Sequence, residues 1–320
     1  MTSYQLNSDL SEKQIEADVA GYFGYMSPFF GGRLRLLDVD EQITGADKQH
    51  LTRGKVYYFQ FKKPIGLQSA KNMPVPLKPR KNESTLMDVR RFRDQNGLDD
   101  YPYSLAFKLH ANKVANINLL QHNVLYSLEK PSFSRAMYIC PTTVEAKEYE
   151  RSLSHPFWKR CWSTPFTKDR YQTVHGLAAC SEIFLCPFLR GHISIIPHTT
   201  VASADHYYSF SKTGTDIAFH SPEIVTRDVA RFSDFLNGEL RRVILDPQDL
   251  KSLDEIASVI SELSKSWFDH GLGEVDRDDP ISWLQEFGKI LMKTYSIRQF
   301  IVAVNENFHT QAEAVEFGRF

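Results

Sequence analysis

Three side chains carry the strongest chemical suggestion in this sequence. Asp47 closes the run Ile43-Thr44-Gly45-Ala46-Asp47, and Gln60 and Lys62 lie two apart in Val56-Tyr57-Tyr58-Phe59-Gln60-Phe61-Lys62. In a strand, residues two apart face the same side. Gln60 and Lys62 are therefore expected to share a face with Tyr58, while Phe59 and Phe61 point the other way into a core. An amide and a lysine side by side on a core strand, near an acid, are parts that a metal- and phosphate-binding site needs. Carboxylates hold Mg²⁺ through oxygen. The ion polarises a phosphate and lowers the pKa of an attacking water, and a lysine orients the nucleophile and offsets developing charge. On this reading Asp47 supplies the acid, Lys62 the cation and Gln60 an amide oxygen. Each residue also has a plainer use. Asp47 could cap a turn after Gly45, Lys62 could guard an edge strand, and Gln60 could satisfy a backbone group.

Several elements must position these groups. Ser11-Glu12-Lys13-Gln14 has the form of a capping box, and Ile15, Val19, Tyr22, Phe23 and Met26 follow at helical spacing, with Glu16 beside that stripe. A strand is predicted over Arg33 to Val39, followed by the acids Asp40 and Glu41. The strand Val56 to Lys63 stops at Pro64, which cannot donate to a ladder. Residues 65–100 are rich in Pro, Lys, Asn and Arg and read as a long basic loop or small insertion, with a short helix near Leu86 to Arg93. Tyr103 to Leu109 alternates as a strand. Asn116 is placed to cap a helix through Leu119, Val124 and Leu128, and Ala136 to Cys140 is a short strand ended by Pro141. This order predicts a mixed α/β layer with one central sheet.

Beyond Pro141 the pattern is weaker. Thr143 to Ser152 reads as helix, Ile183–Leu185 and Ile193–Ile196 as short strands, and Tyr207 to Ala218 as an extended excursion. Helices are predicted over Val225–Asn237, Leu250–Trp267 and Ile281–Thr294, and Phe300 to Val304 is a buried strand or a last helix. The expected fold class is α/β, with a core over 1–145 carrying the basic insertion 65–100. A mostly helical region over 146–320 is expected to pack on that core as one unit.

Composition sets outer bounds. The 320 residues are 42% hydrophobic and 24% charged, as in folded water-exposed proteins, and the net charge is −1, so no whole-molecule field points to nucleic acid. The local distribution does: Arg53 to Arg93 holds eleven Lys or Arg against two acids, Glu83 and Asp88. Such a patch suits an anionic partner, although a solvated loop would look the same. Cys140, Cys161, Cys180 and Cys186 show neither zinc spacing nor a disulfide framework, which fits a reducing cytoplasm. The start of the chain lacks an apolar signal segment, and no run of eighteen apolar residues predicts a membrane span.

Glu16 on the first helix, Glu41 before Gly45-Ala46-Asp47, and Gln60-Phe61-Lys62 on the next strand together resemble the PD-(D/E)XK nuclease superfamily. The likeness is to its Mrr-like and other restriction or defence members that carry Gln-x-Lys. Gln121-His122-Asn123-Val124-Leu125-Tyr126 is similar to the Gln-containing helix motif of RecB-like members. The resemblance spans residues 11 to 141, and because its motifs are short, their order on the elements matters more than the letters. It implies a restriction-endonuclease-like core, a central mixed sheet flanked by helices. Asp47 matches its metal-binding acid, Gln60 the position of its second acid, Lys62 its catalytic lysine and Glu16 its first-helix glutamate. Glu41 would replace the carboxylate that Gln60 lacks, so that Asp47, Gln60 and Glu41 hold Mg²⁺ (or Mn²⁺).

The implied activity is metal-dependent hydrolysis of phosphodiester bonds, with DNA the expected nucleic acid, in a cytoplasmic restriction or anti-phage setting. Lys63, Lys78, Arg80, Lys81, Arg90, Arg91 and Gln121 would hold the nucleic acid. No membrane partner is expected; a homodimer or a partner protein of a defence system is. The alternative is an inactive nuclease fold that binds nucleic acid or a protein.

Other groups point to structure. His192, His198, His206 and His220 have no zinc-like spacing, Asp276-Arg277-Asp278-Asp279 before Pro280 suits a helix cap, and the aromatic run Phe157 to Phe166 suits a core.

Overall fold

A computed structural model describes residues 4–26, 34–38, 51–76, 84–110, 116–153, 186–221, 223–226, 231–245, 250–268, 275 and 278–305. The chain begins with β1 (Gln5–Leu6), α1 (Glu12–Met26), β2 (Leu34–Asp38), β3 (Leu51–Phe61) and β4 (Ile65–Gln68). Next come α2 (Thr85–Gln95), β5 (Tyr103–Lys108), a tight turn over Ile117–Leu119, α3 (Gln121–Glu129), β6 (Ser134–Pro141) and α4 (Ala146–Leu153). The short helix α5 (Pro187–Arg190) precedes β7 (His192–Ile195), β8 (Tyr207–Ser211), β9 (Ile217–Phe219) and β10 (Glu223–Thr226). The remaining elements are α6 (Phe232–Leu245), β11 (Lys251–Ser252), α7 (Leu253–Ser264), α8 (Pro280–Tyr295) and β12 (Arg298–Asn305).

The strands form two sheets. The first has the order β1-β4-β5-β8-β9-β10 and is antiparallel throughout. The second has the order β2-β12-β3-β6-β7, with β11 added beside β3. Among the described residues its one parallel pair is β3 with β6, in a register that sets Gln60 opposite Tyr138 and Phe61 opposite Ile139. Parallel strands need a long crossover, usually helical, and α3 is its last part. The carboxyl ends of β3 and β6 therefore lie side by side, the place where open α/β sheets tend to hold ligands.

Alternation along β3 sorts its side chains into two cores, as its sequence predicts. Val56 and Tyr58 join a core lined by one face of each sheet and by α3, α7 and α8. Tyr57, Phe59 and Phe61 join a second core on the opposite face, under α1 and α6. There α1 contributes Ile15, Val19 and Phe23, spaced three or four apart as a buried helical stripe requires. A third, small core of Leu67, Leu86, Val89 and Ala106 seats α2 on the outer face of the first sheet. Hydrophobic burial of this kind is the main drive of folding, at about 25 cal/mol per Å² of apolar surface.

Several expectations differ from the structure. Residues 65–100 are more than a basic loop, since β4 joins the first sheet and α2 packs on it through Leu86 and Val89. Composition conceals this because the arginines of α2 turn inward. One central sheet was expected; the described residues form two, since which strands pair is decided by contacts distant in sequence. Among the described residues, the region 146–320 supplies β7 to β12 beside the helices α4 to α8. Tyr207–Ala218 becomes the β8–β9 pair, and the helix expected from Val225 begins at Phe232 because Glu223–Thr226 pairs with β9. Phe300 to Val304 lies in β12, which inserts between β2 and β3. The stretches Phe157–Phe166 and Ile183–Leu185 lie outside the described residues. Among the described residues no helix is long and apolar enough to cross a membrane.

Candidate active site

Lys62 follows the last residue of β3, and its N–H extends the ladder by donating to Ile139 O at 2.9 Å. Its side chain turns to the face of Tyr58 and is only 3% exposed. There Nζ donates to Gln121 Oε1 at 3.2 Å and lies 5.9 Å from the centroid of the Tyr138 ring. Gln121 opens α3. Its Nε2 donates to the carbonyl of Tyr295 at the end of α8, which turns its oxygen toward the lysine. Gln60, on the same face, donates from Nε2 to Phe61 O at 3.3 Å. Its Oε1 is buried and, among the described residues, has no hydrogen-bond partner.

Burial lowers the Lys62 pKa to about 8, with the Glu12 carboxylate acting in the opposite direction. An ammonium in a poorly solvated place holds its proton less tightly. The Cys140 thiol is itself pushed up by burial and stays neutral. His122, next to Gln121, is lowered to about 4 by burial. Its Nε2 lies 2.8 Å from Thr199 O and its Nδ1 2.8 Å from the Tyr138 hydroxyl. A carbonyl can only accept, so Nε2 carries the hydrogen and Nδ1 accepts from the tyrosine.

The acid that the structure brings toward Lys62 is Glu12, in the first turn of α1. Glu12 Oε1 accepts from the Lys63 N–H at 3.4 Å. Its sequence context marks it only as part of a helix start, and nothing local distinguishes it from Glu16 one turn later. Glu16 is used otherwise: its Oε1 pairs with Arg298 Nη1 at 2.6 Å, tying α1 to β12. β12 thus places a guanidinium beside Glu16.

Two arginines expected to hold nucleic acid are engaged within the chain. Arg90 donates to Gln68 O at 3.0 Å and to Met73 O at 2.5 Å, and Arg91 donates to Pro76 O at 3.1 Å and to Asp88 at 2.6 Å. Both are buried. Their guanidinium groups fasten residues 68–76 to α2. Gln121 likewise is buried against Lys62. Lys63 is exposed. Asp47, Glu41, Lys78, Arg80 and Lys81 lie outside the described residues.

The site therefore joins Gln60, Lys62 and Gln121 with Tyr138 and Glu12. Among the described residues no group of three or more His, Cys, Asp or Glu side chains could hold a metal ion. The donor that fits a hard cation is the unpartnered Gln60 oxygen, a neutral ligand of the kind Mg²⁺ accepts beside carboxylates. Lys62 uses one N–H on Gln121, and an ammonium has three, so it can also donate to an anionic oxygen. The other histidines bond locally, His192 to Phe188 O, His198 to Glu223, His206 to His220 O and His220 to Ser209. Asp279 caps α8 by accepting from Ser282 N at 3.1 Å. Comparison of the chain with protein-family models, with curated proteins and with solved structures finds no match.

Proposed function

We propose that the protein is a divalent-metal-dependent nuclease that hydrolyses phosphodiester bonds of DNA, with Lys62 as its catalytic lysine. The observation that carries this reading is the buried Lys62 ammonium, lowered to about 8, at the carboxyl ends of the parallel strands β3 and β6 and beside the unpartnered Gln60 oxygen. Catalytic groups are commonly those whose pKa is set near the working pH by burial. Lys62 donates to a phosphate oxygen, where a positive charge in a poorly solvated site offsets developing negative charge. Gln121 holds the lysine in place from one side, and Glu12 favours its charged form from the other. Gln60, with Asp47 and Glu41, would hold Mg²⁺ or Mn²⁺, and the bound ion supplies phosphate polarisation and an acidified water. Lys63, Lys78, Arg80 and Lys81 would contact the backbone without reading sequence. A role in restriction or anti-phage defence follows from the resemblance to PD-(D/E)XK proteins.

The ion pair between Glu16 and Arg298 favours a second reading, because it removes one acid from the set available to a metal. On that reading the fold binds nucleic acid without cutting it. Plasmid cleavage with Mg²⁺ or Mn²⁺ separates the two. Lys62→Ala is expected to lose about 10²–10⁴-fold in cleavage rate while keeping salt-dependent DNA binding. Cleavage by the wild type should also fall as pH rises through about 8, where Lys62 loses its proton. A wild type that binds DNA and leaves it intact with either metal establishes the second reading.

A further inference from the structure

Three buried oxygens on one face of the second sheet have no hydrogen-bond partner among the described residues: Tyr58 Oη, Gln60 Oε1 and Gln299 Oε1. The register sets the residues that carry them side by side on the sheet. Gln299 on β12 lies directly opposite Tyr58 on β3, and Gln60 is the next residue of β3 on that face. Directly opposed residues of an antiparallel pair hold their Cβ atoms about 4.5–5.5 Å apart. All three side chains are at most 2% exposed.

Their free ends are fixed in kind. Gln299 Nε2 donates to Leu284 O of α8 at 2.7 Å, and Gln60 Nε2 donates to Phe61 O at 3.3 Å. Each amide is thereby oriented, and its oxygen is the end left over. Tyr58 reaches toward the same helix, its ring edge-on to Phe287 at 6.3 Å. The leftover groups are thus two acceptors and one hydroxyl. Buried polar groups left unpaired are costly, and internal waters commonly serve about three such groups at once. A water molecule offers two donors and can accept a third bond, which matches this set one for one. A cation shared by all three matches it less well, because one of the three is a hydroxyl with its own proton to donate and none carries charge.

We propose that β3, β12 and α8 enclose an internal water site. One water donates to Gln60 Oε1 and Gln299 Oε1 and accepts from the Tyr58 hydroxyl. An amide oxygen has two lone pairs, so the water anchors Gln60 through one and leaves the other for the candidate centre. The water site itself does not depend on whether the protein cuts nucleic acid.

A crystal structure of the full chain at high resolution is expected to show ordered density within about 2.6–3.2 Å of all three oxygens. Density missing there, or the three side chains bonded to one another, overturns the proposal. Tyr58→Phe gives a second readout in the same protein. If the hydroxyl serves a water, its loss lowers Tm by about 2–4 °C. If it is an isolated buried polar group, removing it leaves Tm unchanged or raised, and the water site is wrong. Neither readout involves cleavage, so failure here is distinct from failure of the nuclease reading.

Discussion

Lys62 and Arg93 are both buried cations, 3% and 1% exposed, yet their surroundings are opposite. Arg93 of α2 pairs with Asp216 at 2.5 Å, and donates to Asp99 O at 2.6 Å and to Ser209 Oγ at 3.2 Å. Asp216 is completed in turn by the Asp99 N–H at 3.1 Å. This cluster joins α2, the loop before β5, β8 and the turn before β9. Lys62 has one neutral acceptor, Gln121, while Glu12, the acid on its side, lies in an exposed turn. Although Arg93 Nε has no hydrogen-bond partner among the described residues, a buried charge paired with an opposite charge is a structural joint, since removing either partner strands the other. A buried charge with one partner is held at a cost by the rest of the fold, and such sites are where strain of this kind has a use.

Breaking the Arg93 joint should have the largest effect on stability. Arg93→Ala leaves Asp216 buried without its cation and is expected to cost about 3–5 kcal/mol, read as a lower urea midpoint. An unchanged midpoint would erase the contrast between the two cations.

Lys62→Met should act with the opposite sign. The proton on Lys62 is bound more weakly in the folded chain, at about 8, than in the unfolded one, at the ordinary lysine value of 10.5. Its charge therefore costs stability below about pH 8, and the cost is relieved as pH rises from about 8 toward 10.5. At pH 7 the methionine variant should exceed the wild type by up to about 3 kcal/mol, and the gap should close by pH 10.5. Urea denaturation at pH 7 and pH 10.5 checks both parts; a less stable variant at pH 7 would show that the lysine is well partnered after all.

The smallest effect sharpens the contrast from the surface. Asp88 pairs with Arg91 at 2.6 Å, but its side chain is 58% exposed. Asp88→Ala should change stability by no more than about 0.5 kcal/mol, because water screens the pair and Arg91 still donates to Pro76 O. A thermal melt shifted by several degrees would mean that this pair is more than a solvated contact.

How far the sequence reaches can be judged from the same residues. Alternation in β3 was legible, and it placed Tyr58, Gln60 and Lys62 on one face and Phe59 and Phe61 on the other. The pairing of Gln121 with Lys62 was foreshadowed only by the order of the motifs. Glu12 and Glu16 could not be told apart, because residues four apart lie on the same side of a helix. Which of them reaches the end of β3 depends on where α1 crosses the sheet. The charge of Arg90 and Arg91 was plain, but charge carries no direction, and a guanidinium serves backbone carbonyls as readily as phosphates. β12 was ambiguous because both its faces are buried, Phe300, Val302 and Val304 in one core and Ile301 and Ala303 in the other. A strand covered on both sides loses its alternation and reads as a plain apolar run.

The position of β12 also governs the order in which the protein can be completed. Ile301 pairs with both Leu37 of β2 and Val56 of β3, partners made early in synthesis. A ribosome adding roughly 5–20 residues per second leaves β3 waiting on the order of tens of seconds for its neighbour. Until then that side of β3 has unpaired N–H and C=O groups, the kind of edge that recruits other chains. Contacts so distant in sequence also fold slowly. A strand made this late thus closes the middle of the second sheet, and a nascent chain stalled before Arg298 is an aggregation hazard rather than a smaller folded protein.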